Sequence, residues 1–199
     1  MDATDWDERY AATDLVWSVT PNQFVESELS DLPPGRALDL ACGEGRNARW
    51  LAERGWQVTA LDWSAVGVEK GRKMSPEVDW QVGDALSAPL PRDLDLVVVA
   101  YFQVPPAQRR TAVRRVHDAL AIGGTLLVVA HDSTNLAEGT GGPQDPEVLY
   151  TAEDLLGDLE DRALEVLRAE RVARVVPVKD GHGEPGTAWD ALLRVRRSA

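Results

Sequence analysis

The sequence predicts an α/β protein in which one doubly wound, mostly parallel sheet is covered by helices on both sides. Three observations predict it. Short apolar runs alternate with stretches of helical periodicity between residues 37 and 130. Those runs are apolar at consecutive positions, as strands buried on both faces must be. Beyond residue 160 the alternation stops, and two strand-like runs follow one another across a turn, which adds an antiparallel strand at one edge.

The first 20 residues are polar but hold Trp6, Tyr10 and Trp17. Aromatic rings are costly to leave in water, so this arm is expected to pack onto the domain. Pro21 suits a helix start, and Phe24, Val25 and Leu29 give an apolar face up to Asp31. Pro33-Pro34-Gly35 is a turn. Residues 37–42 read as a first buried strand stopped by Gly43. Residues 46–54 read as a helix ended by Gly55. Residues 58–62 form the second strand, Ser64 caps a helix to Met74, and 80–82 form a short third strand. Residues 94–100 and 125–130 are the fourth and fifth strands, flanking a helix over 107–120 that Gly123-Gly124 punctuates. Residues 132–150 are rich in Gly, Pro, Asp and Asn, and a loop of that length suggests a function. Thr151 and Asp154 cap a helix to about Glu160, and strands follow near 165–176 and 188–196, joined by a turn over 179–186.

The 199 residues suit one domain, 1–199, with 44% hydrophobic and 27% charged residues, enough to bury a core without staples. A lone cysteine, Cys42, argues against a disulfide scaffold and reads as a small buried hydrophobe. The acidic N-terminus lacks a leader's apolar core, and no apolar run approaches the roughly 18 residues of a membrane helix. A cytoplasmic protein is expected. The net charge of -12 disfavours nucleic acid and anionic membranes as partners.

The strongest local signal is Leu38-Asp39-Leu40-Ala41-Cys42-Gly43-Glu44-Gly45-Arg46-Asn47-Ala48. Gly43-x-Gly45-x-x-Ala48, with Asp62 further on, matches a dinucleotide fingerprint, a weak signal by itself. Charge separates the possible ligands. A pyrophosphate in this turn would meet Asp39 and Glu44, and like charges 4 Å apart cost about 4 kcal/mol at an effective dielectric of 20. S-adenosylmethionine instead brings an ammonium, a sulfonium and a carboxylate. Asp39 suits the ammonium. The helix N-terminus after Gly45, with Arg46 or Asn47, suits the carboxylate. Asp62 suits the ribose hydroxyls, Trp63 offers a face to the adenine, and Asp84 or the Ala85 amide suits its amino edge. These acids fall at carboxyl ends of strands, where open α/β sheets bind ligands.

Residues 38–45, 58–62, Gly83-Asp84-Ala85 and 123–126 resemble the class I S-adenosylmethionine-dependent methyltransferases, a likeness that spans roughly 5–197. It implies a Rossmann-like seven-stranded sheet with the last strand antiparallel, and S-adenosylmethionine as cofactor. Family members usually carry glycine at the position of Ala41, a departure that removes no ligand group. Gly45-Arg46-Asn47-Ala48 with Trp50-Leu51-Ala52 is similar to the tellurite-resistance and thiopurine methyltransferase-like branch. The resemblance also implies that the loop after the fourth strand lies beside the transferring methyl, so Tyr101 is expected to orient the donor or line the acceptor pocket.

His131, at the end of the fifth strand, is the candidate base or acceptor contact because histidine titrates near neutrality. The arm, residues 1–32, and the 132–150 loop are expected to form a lid over the acceptor. His117 and His182 lack metal-like spacing, and no metal is expected. The expected function is methyl transfer to a small-molecule acceptor (a thiol, a chalcogen oxyanion, or a small aromatic hydroxyl or amine) by a monomer or homodimer. The rivals are a nicotinamide-dependent oxidoreductase and a non-catalytic S-adenosylmethionine-binding protein.

Overall fold

A computed structural model describes residues 2–177 and 185–199. Its element order is α1 (Ala3–Ala11), α2 (Gln23–Leu29), β1 (Arg36–Leu40), α3 (Arg46–Glu53), β2 (Gln57–Asp62), α4 (Ala65–Met74), β3 (Asp79–Val82), β4 (Leu94–Ala100), α5 (Pro106–Ala119), β5 (Leu120–His131), α6 (Asn135–Glu138), α7 (Ala152–Asp158), β6 (Leu164–Val176) and β7 (Gly186–Arg197). The strands form one seven-stranded sheet in the order β3-β2-β1-β4-β5-β7-β6. The first five are parallel, and β7 runs antiparallel between β5 and β6.

Within the buried strands the side chains alternate between two cores. Leu38, Leu40, Val97, Val99, Leu126 and Val128 face α5 and α7. Ala37, Leu96, Val98, Leu127 and Val129 face the layer holding Phe24, Trp50, Leu51 and Val68 from α2, α3 and α4. The order of strands places the ends of β1, β2, β4 and β5 along one edge. Because β7 is reversed, its beginning lies at that edge, with Asp190 opposite His131.

Several boundaries depart from the sequence reading for local reasons. The arm, for which the sequence reading named no element, holds a helix over 3–11 closed by a reciprocal cap between Asp2 and Asp5. Pro21 does not begin α2. Asn22 is the cap, accepting from the Phe24 and Val25 amides, and the helix ends at Leu29. The first strand stops at Leu40, because Ala41 takes φ 57°. Gly123-Gly124 does not end an element. β5 starts at Leu120 and runs through the pair, with only a register shift opposite β4. The 132–150 segment holds α6 and a turn of 3-10 helix at Pro146–Val148. The Thr151–Asp154 capping box forms as expected. Most of the expected turn over 179–186, His182 included, lies outside the described residues. No described helix is long and apolar enough to cross a membrane.

Candidate functional site

Asp39 is the penultimate residue of β1, and its carboxylate is buried. Oδ2 accepts the Ala48 amide of α3 at 3.0 Å, while Oδ1 is sealed from solvent without a partner. Loss of water raises its pKa to about 7, against the opposing pull of the Ala48 amide and Arg46. Asp62 ends β2. One oxygen accepts the Gly43 amide and the other the Ser64 amide, each at 2.8 Å. Burial raises its pKa too, and Asp7 adds to the effect. Among the described residues neither acid forms an ion pair, so two desolvated carboxylates stand at adjacent strand ends with no cation bound to them.

The glycine turn between them takes left-handed backbone at Ala41, Gly43 and Gly45. Its close neighbours are this chain's own aromatics. A Cβ on Gly43 would lie 2.4 Å from the Tyr10 hydroxyl, and one on Gly45 would lie 2.0 Å from the Trp80 ring. Both positions therefore require glycine before any ligand is considered. Tyr10 accepts a hydrogen bond from Trp17 Nε1 at 3.2 Å and stacks on Trp6, with centroids 5.5 Å apart.

Glu44 corrects the electrostatic reading of this turn. Its carboxylate is buried and accepts the Val16 and Trp17 amides at 3.0 and 3.2 Å. Lys70 of α4 sits 3.3 Å from it and also donates to the Tyr10, Thr13 and Asp14 carbonyls. Glu44 therefore anchors the arm and is neutralised there. The negative character of the cleft rests on Asp39 and Asp62.

Arg46 lies at the start of α3, its guanidinium carbon 6.0 and 5.9 Å from the centroids of Trp17 and Tyr101, and it donates to Ser18 Oγ at 3.4 Å. Asn47 is buried, with Oδ1 accepting the Asn22 amide at 2.9 Å. Trp63 is exposed beside Asp62. Asp84 is exposed and spends its carboxylate on its own turn, accepting the Leu86 amide at 2.8 Å, while Ala85 is buried.

The other half of the edge is built around Tyr101 and His131, whose rings lie 4.9 Å apart. Tyr101, in left-handed backbone just past β4, donates to Asp190 Oδ2 at 2.8 Å and accepts from Asn22 Nδ2 at 3.1 Å. His131 Nδ1 is 3.4 Å from Asp190 Oδ1, and burial lowers the imidazole pKa although Asp190 opposes this. Asp190 is also held by Arg174 of β6. The edge thus brings together Asp39, Gly43, Gly45, Arg46, Asn47, Asp62, Tyr101 and His131. Sequence reasoning missed Asn22, Lys70, Arg174 and Asp190. Asp190 carried a signal, since an acid inside the apolar run 188–193 must be paired or functional.

Two surface hollows of about 420 and 450 Å³ lie at the opposite end of the strands, near Arg115 and Arg36 respectively. Among the described residues no group of His, Cys, Asp and Glu is arranged to hold a metal.

Residues 37–124 match the family model described as a methyltransferase domain. Over those residues, under half of its length, the chain is similar to a methyltransferase domain. A probable S-adenosylmethionine-dependent methyltransferase from Mycolicibacterium smegmatis is 27% identical over 191 residues, covering 86% of this chain and 74% of that protein. A 2-phytyl-1,4-naphtoquinone methyltransferase from Thermosynechococcus vestitus is 34% identical over 118 residues, 54% of this chain and 52% of that one. Against several such relatives the chain spans about half of their length. Solved structures share the fold. The N-methyltransferase NodS from Bradyrhizobium japonicum, in complex with S-adenosyl-L-homocysteine, gives a TM-score of 0.75 at 21% identity over 100% of both chains. TehB from Haemophilus influenzae gives 0.73 at 19% identity over 89% of this chain and 63% of its own.

Proposed function

We propose that the chain transfers a methyl group from S-adenosylmethionine to a small-molecule acceptor. The observation that carries this reading is the pair of buried carboxylates, Asp39 and Asp62, one with an orphaned oxygen and neither in an ion pair with a Lys or Arg of the described residues. An ammonium relieves Asp39 and hydroxyl donors satisfy Asp62; a pyrophosphate aggravates both. S-adenosylmethionine supplies an electrophilic methyl on a sulfonium. Asp39 takes the ammonium, directly or through water, and the Gly43–Gly45 turn and the start of α3 take the methionine carboxylate with Arg46 beside them. Asp62 takes the ribose hydroxyls on the lone pairs left by Gly43 and Ser64. Trp63 and Ala85 flank the adenine, with Asp84 at its rim.

Displacement at a sulfonium needs alignment and exclusion of water more than added chemistry. The arm, carrying Tyr10 and Trp17, and the 132–150 segment serve as the cover. Tyr101 and His131 face the acceptor. The relatives include quinone and aconitate methyltransferases, which supports a small acceptor, although others are named for ribosomal RNA.

Calorimetric titration with S-adenosylhomocysteine tests the cofactor assignment. Asp62→Ala is expected to weaken binding about 100-fold, the loss of roughly 3 kcal/mol for a charged hydrogen-bonding partner. Asp62→Asn, which keeps the shape of the turn, should fall between the two. Unchanged affinity in both, or a melting temperature raised by NAD(H) and not by S-adenosylhomocysteine, would count against the reading.

A further inference from the structure

Four strands converge on Asp190, whose side chain is fully buried. Oδ2 accepts from the Tyr101 hydroxyl of β4 at 2.8 Å and from Arg174 Nε of β6 at 2.7 Å. Oδ1 faces His131 Nδ1 of β5 at 3.4 Å, with Arg174 Nη2 also at 3.4 Å. The Arg174 contact is a long hydrogen bond, whereas the His131 approach is not a formed one, as is common before a substrate tightens an active site.

The two imidazole nitrogens stand in different surroundings. Nδ1 is sealed from solvent and has no partner other than this near approach. The 132–150 segment closes that side, for a Cβ on Gly142 would lie 3.0 Å from Nδ1. Nε2 is neither sealed nor hydrogen-bonded, and the side chain keeps 15% exposure. Among the described residues the charged groups set against the ring are Asp190 from β7 and Arg174 from β6, with the Tyr101 phenol just past β4 beside them. Arg174 neutralises Asp190 and is anchored on Oδ2, reaching Oδ1 only at 3.4 Å, so Oδ1 keeps a lone pair within reach of Nδ1.

We propose that Asp190, held by Arg174, is a positioning residue that fixes His131 with its proton on Nδ1 and its Nε2 lone pair turned toward the acceptor. The inference rests on the methyl-transfer reading and narrows its substrate class. A base on Nε2 is useful only to an acceptor that sheds a proton: a hydroxyl, an amine or a thiol rather than a bare oxyanion. The acceptor's lone pair takes the methyl carbon from the sulfonium, whose bonding pair stays on sulfur. The acceptor's proton passes to Nε2, the imidazolium is held against Asp190, and the proton leaves to water. This is the logic of a carboxylate-oriented histidine in general.

The test is nitrogen NMR of histidine-labelled protein, free and saturated with S-adenosylhomocysteine, with H131Q assigning the signals. The expected result above the titration midpoint is a pyrrole-type Nδ1 and a pyridine-type Nε2. D190N should mix or reverse the tautomers and move the titration midpoint to lower pH. A wild-type His131 protonated on Nε2 overturns the proposal, and so does D190N with wild-type tautomers and midpoint. Should D190N fail to fold, the wild-type tautomer alone decides. Failure to bind S-adenosylhomocysteine would strike the cofactor reading instead, since the tautomer is read in the free protein as well.

Discussion

The two halves of the strand edge treat their buried acids in opposite ways. On the β1–β2 side, Asp39 and Asp62 accept only backbone amides and keep raised pKa values without a cation. On the β4–β7 side, Asp190 is likewise buried but paired, with Arg174 and the Tyr101 hydroxyl on one oxygen. An unpaired buried charge is a standing cost that a ligand of opposite sign removes, whereas a paired one holds its neighbours in place. On the proposed function, one half receives charge and the other orients neutral groups. A fold comparison alone does not separate these roles.

The sharpest way to break that contrast is pH. Asp39 has its pKa raised by burial to about 7 in the folded protein, against 3.8 for an ordinary aspartate, so the folded protein holds an extra proton between those values. Its contribution to stability is therefore full below about pH 4 and is lost as pH rises through 7. The loss amounts to up to about 4 kcal/mol, at 1.36 kcal/mol per unit. Denaturant unfolding of wild type and Asp39→Asn across pH 5–8 should show the slope in the first and its absence in the second. Binding of an ammonium-bearing ligand runs the other way, because it favours the carboxylate. Affinity for S-adenosylhomocysteine should rise toward pH 7, and calorimetry in buffers of different ionisation enthalpy should show proton release below it. A flat stability profile in wild type would mean that Asp39 is already compensated and that the two halves do not differ.

A smaller effect is expected where the arm packs on the β1–β2 half. Lys70 donates to three arm carbonyls and faces Glu44, while Glu44 takes two arm amides. Hydrogen bonds to charged groups contribute about 1.5–3 kcal/mol each when buried, and less here because Lys70 is partly solvated. Lys70→Met should speed hydrogen exchange in residues 3–17 about tenfold and leave the strands unchanged. Equal exchange in both proteins would show that Tyr10, Trp6 and Trp17 hold the arm without the clasp.

Much of this architecture was legible in the sequence, for identifiable reasons. Strands covered on both faces need consecutive apolar residues, and helices need caps, so Val97-Val98-Val99 and Thr151 with Asp154 announced their elements. Asp39, Asp62 and the glycines were found because they are close in sequence to strand ends. Asp190 and Arg174 were not, since their roles arise from a reversed strand inserted beside β5, a long-range pairing that local periodicity does not carry. Glu44 was misjudged for a related reason: its position in the turn is local, but its partners Val16, Trp17 and Lys70 lie 26 to 28 residues away.

The smallest expected effect compares a matched pair of strained residues, one in each half. Ala41 follows β1 with φ 57°, and Tyr101 follows β4 with φ 59°. A left-handed residue with a Cβ costs roughly 1–2 kcal/mol. Tyr101 is held there by two side-chain hydrogen bonds that fix its hydroxyl. Ala41 has no side-chain bond to offset its strain, and the resemblance to methyltransferases puts glycine at that position. Ala41→Gly should therefore stabilise the protein by about 1 kcal/mol, once glycine's greater freedom in the unfolded chain is deducted. Affinity for S-adenosylhomocysteine should stay within about twofold, because the turn keeps its backbone. Chemical denaturation of the single variant measures the gain. Destabilisation instead would mean that the Ala41 methyl packs against something the cofactor half needs, and that its strain, like that of Tyr101, is held for a purpose.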